Sequence, residues 1–290
     1  MLFFEKNKIP SSLTIPSFLK VIFKIIYFLN PKLAVFIAAK LFTKPIRFKT
    51  PERELGMQNT SQIKTIIVPK INKQIHVLSY GYSDKKILFA HGWAGRSTQL
   101  FMIANSLLEN GFMVISFDAP AHGKSTGKTT NLLDYIETIE TVNQKFGPFT
   151  AAVGHSFGGM ALLNAQANHP IFKKIVTIGS GDKISTILIN FARNLGLKAS
   201  FGKRLENHFN KKWNCSIDDF SSSNAAKSIK EPVLVIHDTL DADVHVSCAV
   251  QIRQNLSDGL LLLTEDLGHT KILRTKEISN RIVTFIKKNS

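Results

Sequence analysis

Residues 150 to 159 read Thr-Ala-Ala-Val-Gly-His-Ser-Phe-Gly-Gly, and this stretch decides the fold. A small, apolar run leads to Ser156 inside a Gly-x-Ser-x-Gly frame, directly before a segment of helical character. This is the pattern of a nucleophile elbow, a tight strand-to-helix turn that exposes a serine hydroxyl. Gly154 and Gly158 lack a Cβ and so relieve crowding in such a turn. The backbone N–H of Phe157 starts the helix without an internal acceptor and can donate to a developing oxyanion. Alone, the five-residue pattern also fits an ordinary glycine-rich turn.

The residues that would activate a serine follow in the sequence. An activated serine needs a base to take its proton and a carboxylate to orient that base. A β-rich run ends at His237, and the loop after it offers three acids: Asp238, Asp241 and Asp243. A second apolar run ends at Thr264, and the loop after it contains His269. Because open α/β sheets form their ligand crevice at the carboxyl ends of the strands, we expect these loops to meet there.

Strand-like and helix-like segments alternate along most of the chain. The pattern predicts paired strands at 63–68 and 74–80, and strands separated by helices between 86 and 178. Such a rhythm is typical of an α/β fold, a mainly parallel sheet with helices on both faces. The segment 181–230 interrupts the rhythm with aromatic residues spaced among basic ones.

From about Ile63 to its C-terminus, the chain resembles the α/β-hydrolase superfamily, in its esterase/lipase-like branch of serine hydrolases. Five motifs in the family's order carry the resemblance: residues 89–95 (Phe-Ala-His-Gly-Trp-Ala-Gly), residues 117–125 (Phe-Asp-Ala-Pro-Ala-His-Gly-Lys-Ser), the Ser156 turn, the Asp241 loop and Gly268-His269. The resemblance implies the α/β-hydrolase fold, with a small helical lid inserted at 181–230. An ordinary helical crossover is the alternative for that segment.

The resemblance also implies the roles of the site residues. Ser156 would be the nucleophile, His269 the general base and then acid, and Asp241 the carboxylate that orients His269. The backbone N–H groups of Trp93 and Phe157 would form the oxyanion hole.

The identity of the acid is the least constrained of these roles. The family's loop usually carries its acid four residues after a histidine, which runs here from His237 to Asp241. Asp238 and Asp243 remain competitors. Asp118, at the end of an earlier strand, is a further alternative, although fixing its own loop is the role we favour.

Three other residues are candidates for the substrate pocket: His91, His155 and Trp213. For the two histidines, structural hydrogen bonding and packing are the competing interpretations. The histidines and carboxylates form no metal-binding motif in the sequence, and no nucleotide-binding glycine motif occurs. We therefore expect neither a metal nor a cofactor.

The first 50 residues carry nine basic residues and one acidic residue, half of the chain's net charge of +16. Apolar runs at 18–29 and 33–42 are interrupted by Lys20, Lys24, Pro31, Lys32 and Lys40, whereas a spanning helix needs about 20 mainly apolar residues. The charged start, uninterrupted apolar core and cleavage site of a secretory signal are also missing, so we expect neither. Two interpretations remain for residues 17–43: an amphipathic helix on an anionic bilayer, or a helix packed on the catalytic domain as part of a substrate gate. The charge also suits nucleic acid, but no binding module supports that partner.

The 290 residues are expected to form one catalytic domain at 56–290, preceded by an amphipathic helical extension at 1–55. Two isolated cysteines favour a reducing compartment, so a cytoplasmic location is expected, with peripheral membrane contact as an option. The predicted function is hydrolysis of a small-molecule carboxylic ester or thioester. The alternatives are an amidase, peptidase or acyltransferase with the same triad, and a non-catalytic receptor or membrane-associated scaffold on this fold.

Overall fold

The computed structural model describes residues 15–288, and its centre is an eight-stranded sheet. The strands are β1 (Gln62–Val68), β2 (Lys73–Tyr80), β3 (Lys86–Ala90), β4 (Met113–Phe117), β5 (Ala151–His155), β6 (Ile175–Ile178), β7 (Val233–Asp238) and β8 (Gly259–Thr264). Their spatial order is β1-β2-β4-β3-β5-β6-β7-β8. The pairs β1–β2 and β2–β4 are antiparallel, and the other neighbours are parallel. The predicted mainly parallel sheet is confirmed.

Helices cover both faces of this sheet. They are α1 (Ser17–Leu29), α2 (Pro31–Phe42), α3 (Glu52–Thr60), α4 (Phe101–Glu109), α5 (Leu132–Phe146), α6 (Phe157–Asn168), α7 (Ile184–Asn194), α8 (Ala199–Trp213), α9 (Ser222–Ala226), α10 (Ser247–Asn255), α11 (Gly268–Lys271) and α12 (Lys276–Lys287). None of these helices combines the length and the apolar character that crossing a membrane requires.

The core forms two layers because side chains along a strand alternate between the faces of the sheet. In β3, Leu88 and Ala90 pack with α5 and α6, whereas Ile87 and Phe89 pack with α4 and α12 on the opposite face. Strands buried on both faces read as continuous apolar runs, which is why the parallel strands were recognisable in the sequence.

A third apolar cluster lies outside the sheet, between the α1–α2 hairpin (residues 17–42) and the α7–α8 pair (residues 184–213). Phe23 of α1 and Ala38 of α2 are buried against Leu188, Phe201 and Phe209. The small alanines of α2 let its backbone approach α8 closely. The segment 181–230 therefore departs from the strand–helix rhythm as predicted, and the helices of the N-terminal extension pack on it.

The predicted domain boundary between residues 55 and 56 falls inside helix α3. Glu54 of this helix is buried, and its carboxylate accepts hydrogen bonds from Nε and from a terminal nitrogen of Arg96, at 2.7 and 2.8 Å. The Thr98 hydroxyl donates to the same carboxylate at 2.7 Å. These bonds attach α3 to the loop after β3. The first 14 residues of the predicted extension lie outside the described residues.

Candidate active site

Ser156 lies in the turn between β5 and α6, with backbone angles φ 51° and ψ −116°. A positive φ is strained for a residue with a Cβ and persists only where the surroundings hold it. The Ser156 N–H donates to the carbonyl of Ile178 in β6 at 2.9 Å, which attaches the turn to the sheet. Strain of this kind at a serine between a strand and a helix is the geometry of a nucleophile elbow.

The glycines of the elbow are required by close contacts. A Cβ on Gly158 would collide with the carbonyl of Ala90 at the end of β3. A Cβ on Gly154 would lie 2.8 Å from the carbonyl oxygen of Gly158. The sequence pattern around Ser156 thus follows from the tight packing of the turn between its neighbours.

Asp241 and His269 are brought together at the same end of the sheet. His269 Nδ1 lies 2.7 Å from Oδ2 of Asp241. The other oxygen, Oδ1, accepts backbone N–H groups of Asp243 and Val244 at 2.8 and 2.9 Å. Because an ionised carboxylate only accepts hydrogen bonds, this contact places the proton on Nδ1 and leaves Nε2 as the basic nitrogen.

Two of the competing acids, Asp238 and Asp118, are occupied by other bonds. Asp238 accepts the N–H groups of Leu240 and Leu267 and the hydroxyl of Thr264, and so connects the ends of β7 and β8. Burial opposes its ionisation, but these bonds outweigh burial and hold the pKa of Asp238 below its usual range. Asp118 accepts the N–H groups of Ser97 and Lys124, both in neighbouring loops.

His155, which directly precedes Ser156 in the chain, contacts His269. The rings of His155 and His269 lie 4.6 Å apart, and the His155 Nε2–H donates to the His269 carbonyl at 3.0 Å. A Cβ on Gly92 would lie 2.8 Å from His155 Nδ1 and 3.2 Å from Ser156 Cβ. Within residues 15–288, the Ser156 hydroxyl itself has no hydrogen-bond partner.

Two backbone N–H groups, one of them next to Ser156 in the chain, have no hydrogen-bond acceptor among residues 15–288. On either side of Trp93, the Gly92 N–H donates to the Gln99 side chain at 3.1 Å and the Ala94 N–H donates to His122 Nε2 at 3.0 Å. In the described part of the chain, the N–H groups of Trp93 and Phe157 have no such bond. They are therefore available to an oxygen atom bound beside Ser156.

His91 and His122 brace the loops around these N–H groups. His91 Nδ1–H donates to the Gly92 carbonyl at 2.7 Å, and its Nε2 accepts the Ala119 N–H at 2.9 Å. His122 Nδ1–H donates to the Pro120 carbonyl at 3.0 Å, opposite the bond from Ala94. Both rings are buried, as is His155. Of the pocket candidates, His91 and His155 are therefore buried residues that hold the backbone of the site in place through hydrogen bonds.

Trp213, the third pocket candidate, lies at the outer end of a series of aromatic rings. It stacks on Phe209 at 4.7 Å, Phe209 lies 5.7 Å from Phe42, and Phe42 lies 6.5 Å from Trp93. Trp93 in turn contacts Phe157 edge-on at 5.3 Å. The sequence did not single out Phe42, because its contact with Trp93 depends on the packing of α2. Among residues 15–288, no group of three His, Cys, Asp or Glu side chains could hold a metal ion.

The buried histidines predict a pH-dependent stability. Burial lowers the pKa of His91, of His155 and of His237, and it lowers the pKa of His122 to about 3. The folded state therefore binds fewer protons than the unfolded state, in which a histidine titrates near pH ~6.5. Stability is fully present above that pH and is lost as the pH falls below it, by up to ~1.4 kcal/mol per pH unit for each such histidine.

We expect the free energy of unfolding, measured by urea titration, to fall between about pH 7.5 and pH 5, by ~2 kcal/mol from His122 alone, whose pKa lies at about 3. The other buried histidines add to this fall in the same direction. The variant His122→Gln can accept the Ala94 N–H without titrating, and it should show a smaller decline. A urea midpoint that does not change with pH over this range would contradict the expectation.

Known proteins resemble this chain in sequence and in fold. A family model described as alpha/beta hydrolase fold matches residues 85–210. A monoacylglycerol lipase of Mycolicibacterium smegmatis is 28% identical over 134 residues, which cover 42% of this chain and 48% of that protein. The chain thus spans about half the length of the curated relative it matches.

Two solved structures share the fold. An esterase from Pyrococcus furiosus superposes with a TM-score of 0.65 at 19% identity, covering 84% of this chain and 98% of its own. An esterase from Exiguobacterium antarcticum superposes with a TM-score of 0.62 at 19% identity, covering 78% of this chain and 100% of its own. At such identities the likeness concerns the fold alone.

Proposed function

We propose that this chain, which belongs to the α/β-hydrolase superfamily, is a serine hydrolase that cleaves a carboxylic ester or thioester through an acyl-enzyme on Ser156. One observation carries the proposal: the 2.7 Å contact between His269 and Asp241, beside a serine held at a positive φ. The names of the relatives, a monoacylglycerol lipase and two esterases, support an ester as the substrate class.

In the acylation step, His269 Nε2 takes the proton of the Ser156 hydroxyl while Oγ attacks the carbonyl carbon of the ester. The carbonyl π-electrons move to the oxygen, and the N–H groups of Trp93 and Phe157 stabilise the resulting oxyanion. When the tetrahedral intermediate collapses, the bond to the alcohol or thiol breaks and His269 donates the proton to that leaving group. Asp241 stabilises the imidazolium throughout.

The second half of the cycle uses water in place of the alcohol. His269 removes a proton from a water molecule, which attacks the acyl carbon on Ser156. The same N–H groups hold the second oxyanion, and its collapse returns the proton to Ser156 Oγ and releases the carboxylic acid. Apart from the chain's own residues, the ester and one water molecule are enough to balance these steps.

The rings above the elbow favour an apolar acyl group. Trp93 and Phe157 contact each other beside Ser156, and Phe42 of α2 stacks on Trp93. Apolar surface that leaves water contributes about 25 cal/mol per Å² to binding. In this proposal, the α7–α8 pair acts as the lid and the α1–α2 hairpin completes it, so that the extension gates access to the site.

A fluorophosphonate probe and a series of p-nitrophenyl esters test the proposal together. We expect the probe to attach to one residue, Ser156, identified by peptide mass spectrometry, because its hydroxyl is activated by His269. Hydrolysis should become more efficient as the acyl chain grows, up to the length that the aromatic rings accommodate. Absence of labelling together with absence of ester cleavage would overturn the proposal.

A further inference from the structure

Helix α1 is apolar on both of its sides, although only one side is packed. The packed side carries Phe23 and Tyr27, and the Tyr27 ring meets Phe201 of α8 at 5.1 Å. The opposite side is formed by residues spaced three or four positions apart, and all of them are apolar: Phe18, Val21, Ile22, Ile25, Phe28 and Leu29. These side chains are 45 to 87% exposed.

An apolar helix face is ordinarily buried against a partner. Single exposed apolar residues are normal on a protein surface, but a contiguous stripe of this kind marks an interaction site. The neighbouring helix extends the stripe, because Leu33 and Phe36 of α2 are exposed as well. We call the six α1 residues and these two the apolar stripe.

The charged residues in the chain segment that carries the apolar stripe all have the same sign. Residues 15–51 contain six lysines and one arginine and no acidic residue. Lys24 is exposed beside the stripe on α1, whereas Lys20 is half-buried, and both side chains lie against Gly196 in the loop between α7 and α8. On α2, the Lys40 ammonium lies 4.2 Å above the ring of Phe36. Apolar side chains bordered by cations are the combination that binds at an anionic bilayer surface.

The length of the helices determines how they would lie in a bilayer. Helix α1 has 13 residues and so measures about 20 Å, whereas the hydrocarbon core is about 30 Å thick. The α1–α2 hairpin is therefore suited to the interface plane. A second copy of this chain is a poorer occupant, since it would bring an equal cluster of positive charge to the same surface.

We propose that the apolar stripe docks this protein on the surface of an anionic lipid bilayer, with the outer side chains of α1 in the acyl boundary and the surrounding lysines on lipid phosphates. The docked helices also reach the candidate active site, because α2 ends at Phe42, whose ring stacks on Trp93. The surface is independent of the chemistry at Ser156, so the docking and the proposed hydrolase activity can fail separately.

Vesicle co-sedimentation of the full-length protein tests this proposal. We expect binding to vesicles of phosphatidylglycerol mixed with phosphatidylcholine and much weaker binding to phosphatidylcholine alone. Raising the salt from about 0.05 to 0.5 M should weaken binding several-fold, because screening shortens the reach of the lysines. The variant Ser156→Ala should bind as the wild type does, whether or not it hydrolyses esters.

Matched variants locate the docking surface. The double variant Ile25→Gln/Phe28→Gln removes two outward side chains, and we expect its partitioning to fall by about tenfold or more. The control Ile63→Gln/Ile67→Gln removes two equally exposed isoleucines from β1 and should bind like the wild type. Unchanged circular dichroism and thermal midpoint would show that each variant is folded.

Three results would overturn the proposal. The first is that the protein binds no vesicles, and the second is that both double variants lose vesicle binding equally. The third is that binding is the same with neutral and anionic lipid at every salt concentration. Concentration-dependent dimerisation in solution that Ile25→Gln/Phe28→Gln abolishes, without vesicle binding, would instead assign the apolar stripe to a second copy of this chain.

Discussion

The variant Ser156→Ala is expected to lose ester hydrolysis by a factor on the order of 10⁶, because it removes the nucleophile that forms the acyl-enzyme. The same variant should no longer react with a fluorophosphonate. Its fold should be preserved, since the Ser156 side chain has no hydrogen-bond partner among residues 15–288 and alanine fits the same backbone. Initial rates on a p-nitrophenyl ester, with a thermal midpoint for stability, provide the measurement.

A matched control is Ser106→Ala, which removes a hydroxyl from helix α4, outside the site. It should retain full activity and full labelling. Residual hydrolysis of more than a few per cent in Ser156→Ala, in protein free of wild-type contamination, would mean that another group attacks the substrate. If Ser156→Ala and Ser106→Ala both bound a ligand and neither hydrolysed it, the result would favour a receptor.

The sheet and its helices could be predicted from the sequence because local pattern and tertiary burial agree there. The strands buried on both faces, such as β5 and β7, are continuous apolar runs, and each is followed by a loop or turn with a polar functional side chain. The elbow was recognisable because its glycines are needed for contacts within a few residues and with one adjacent strand. Short-range requirements of this kind leave a readable motif.

The contacts of each candidate site residue could not be predicted from the sequence. Asp238 and Asp241 follow the same strand, and only the course of the loop shows that Asp241 contacts His269 whereas Asp238 bonds to the β8 end. His91 and His155 lie in site motifs, yet each is buried and bonded to backbone. These differences depend on contacts between residues that are distant in sequence.

The N-terminal extension illustrates a different limit. Its sequence fits both a bilayer-surface helix and a helix packed on the domain. In the structure, one side of α1 packs on α8 while the other side is exposed and apolar. Because apolar residues occupy more than one side of α1, the sequence alone does not say which side packs on the domain, and the two interpretations are compatible.

Asp241 is the carboxylate that contacts Nδ1 of His269, at 2.7 Å. Replacing it with asparagine keeps the size of the side chain but changes the tautomer of His269. The amide oxygen would accept the N–H groups of Asp243 and Val244, as Oδ1 does now, and the amide NH₂ would then face His269 Nδ1. That nitrogen would have to accept, which moves the imidazole proton to Nε2, the atom that must take the proton of Ser156.

We expect Asp241→Asn to lower kcat by about 10⁴, the effect of the corresponding change in a serine protease, while the thermal midpoint changes little. Asp238→Asn is the matched control, because it alters a neighbouring carboxylate that bonds Thr264 and Leu267 rather than His269. It should lower stability, by about 1–3 kcal/mol in the free energy of unfolding, with a far smaller fall in kcat. If both variants lost activity equally, or if Asp241→Asn kept more than a tenth of kcat, the orienting acid would have to be sought elsewhere, with Asp118→Asn as the next variant to measure.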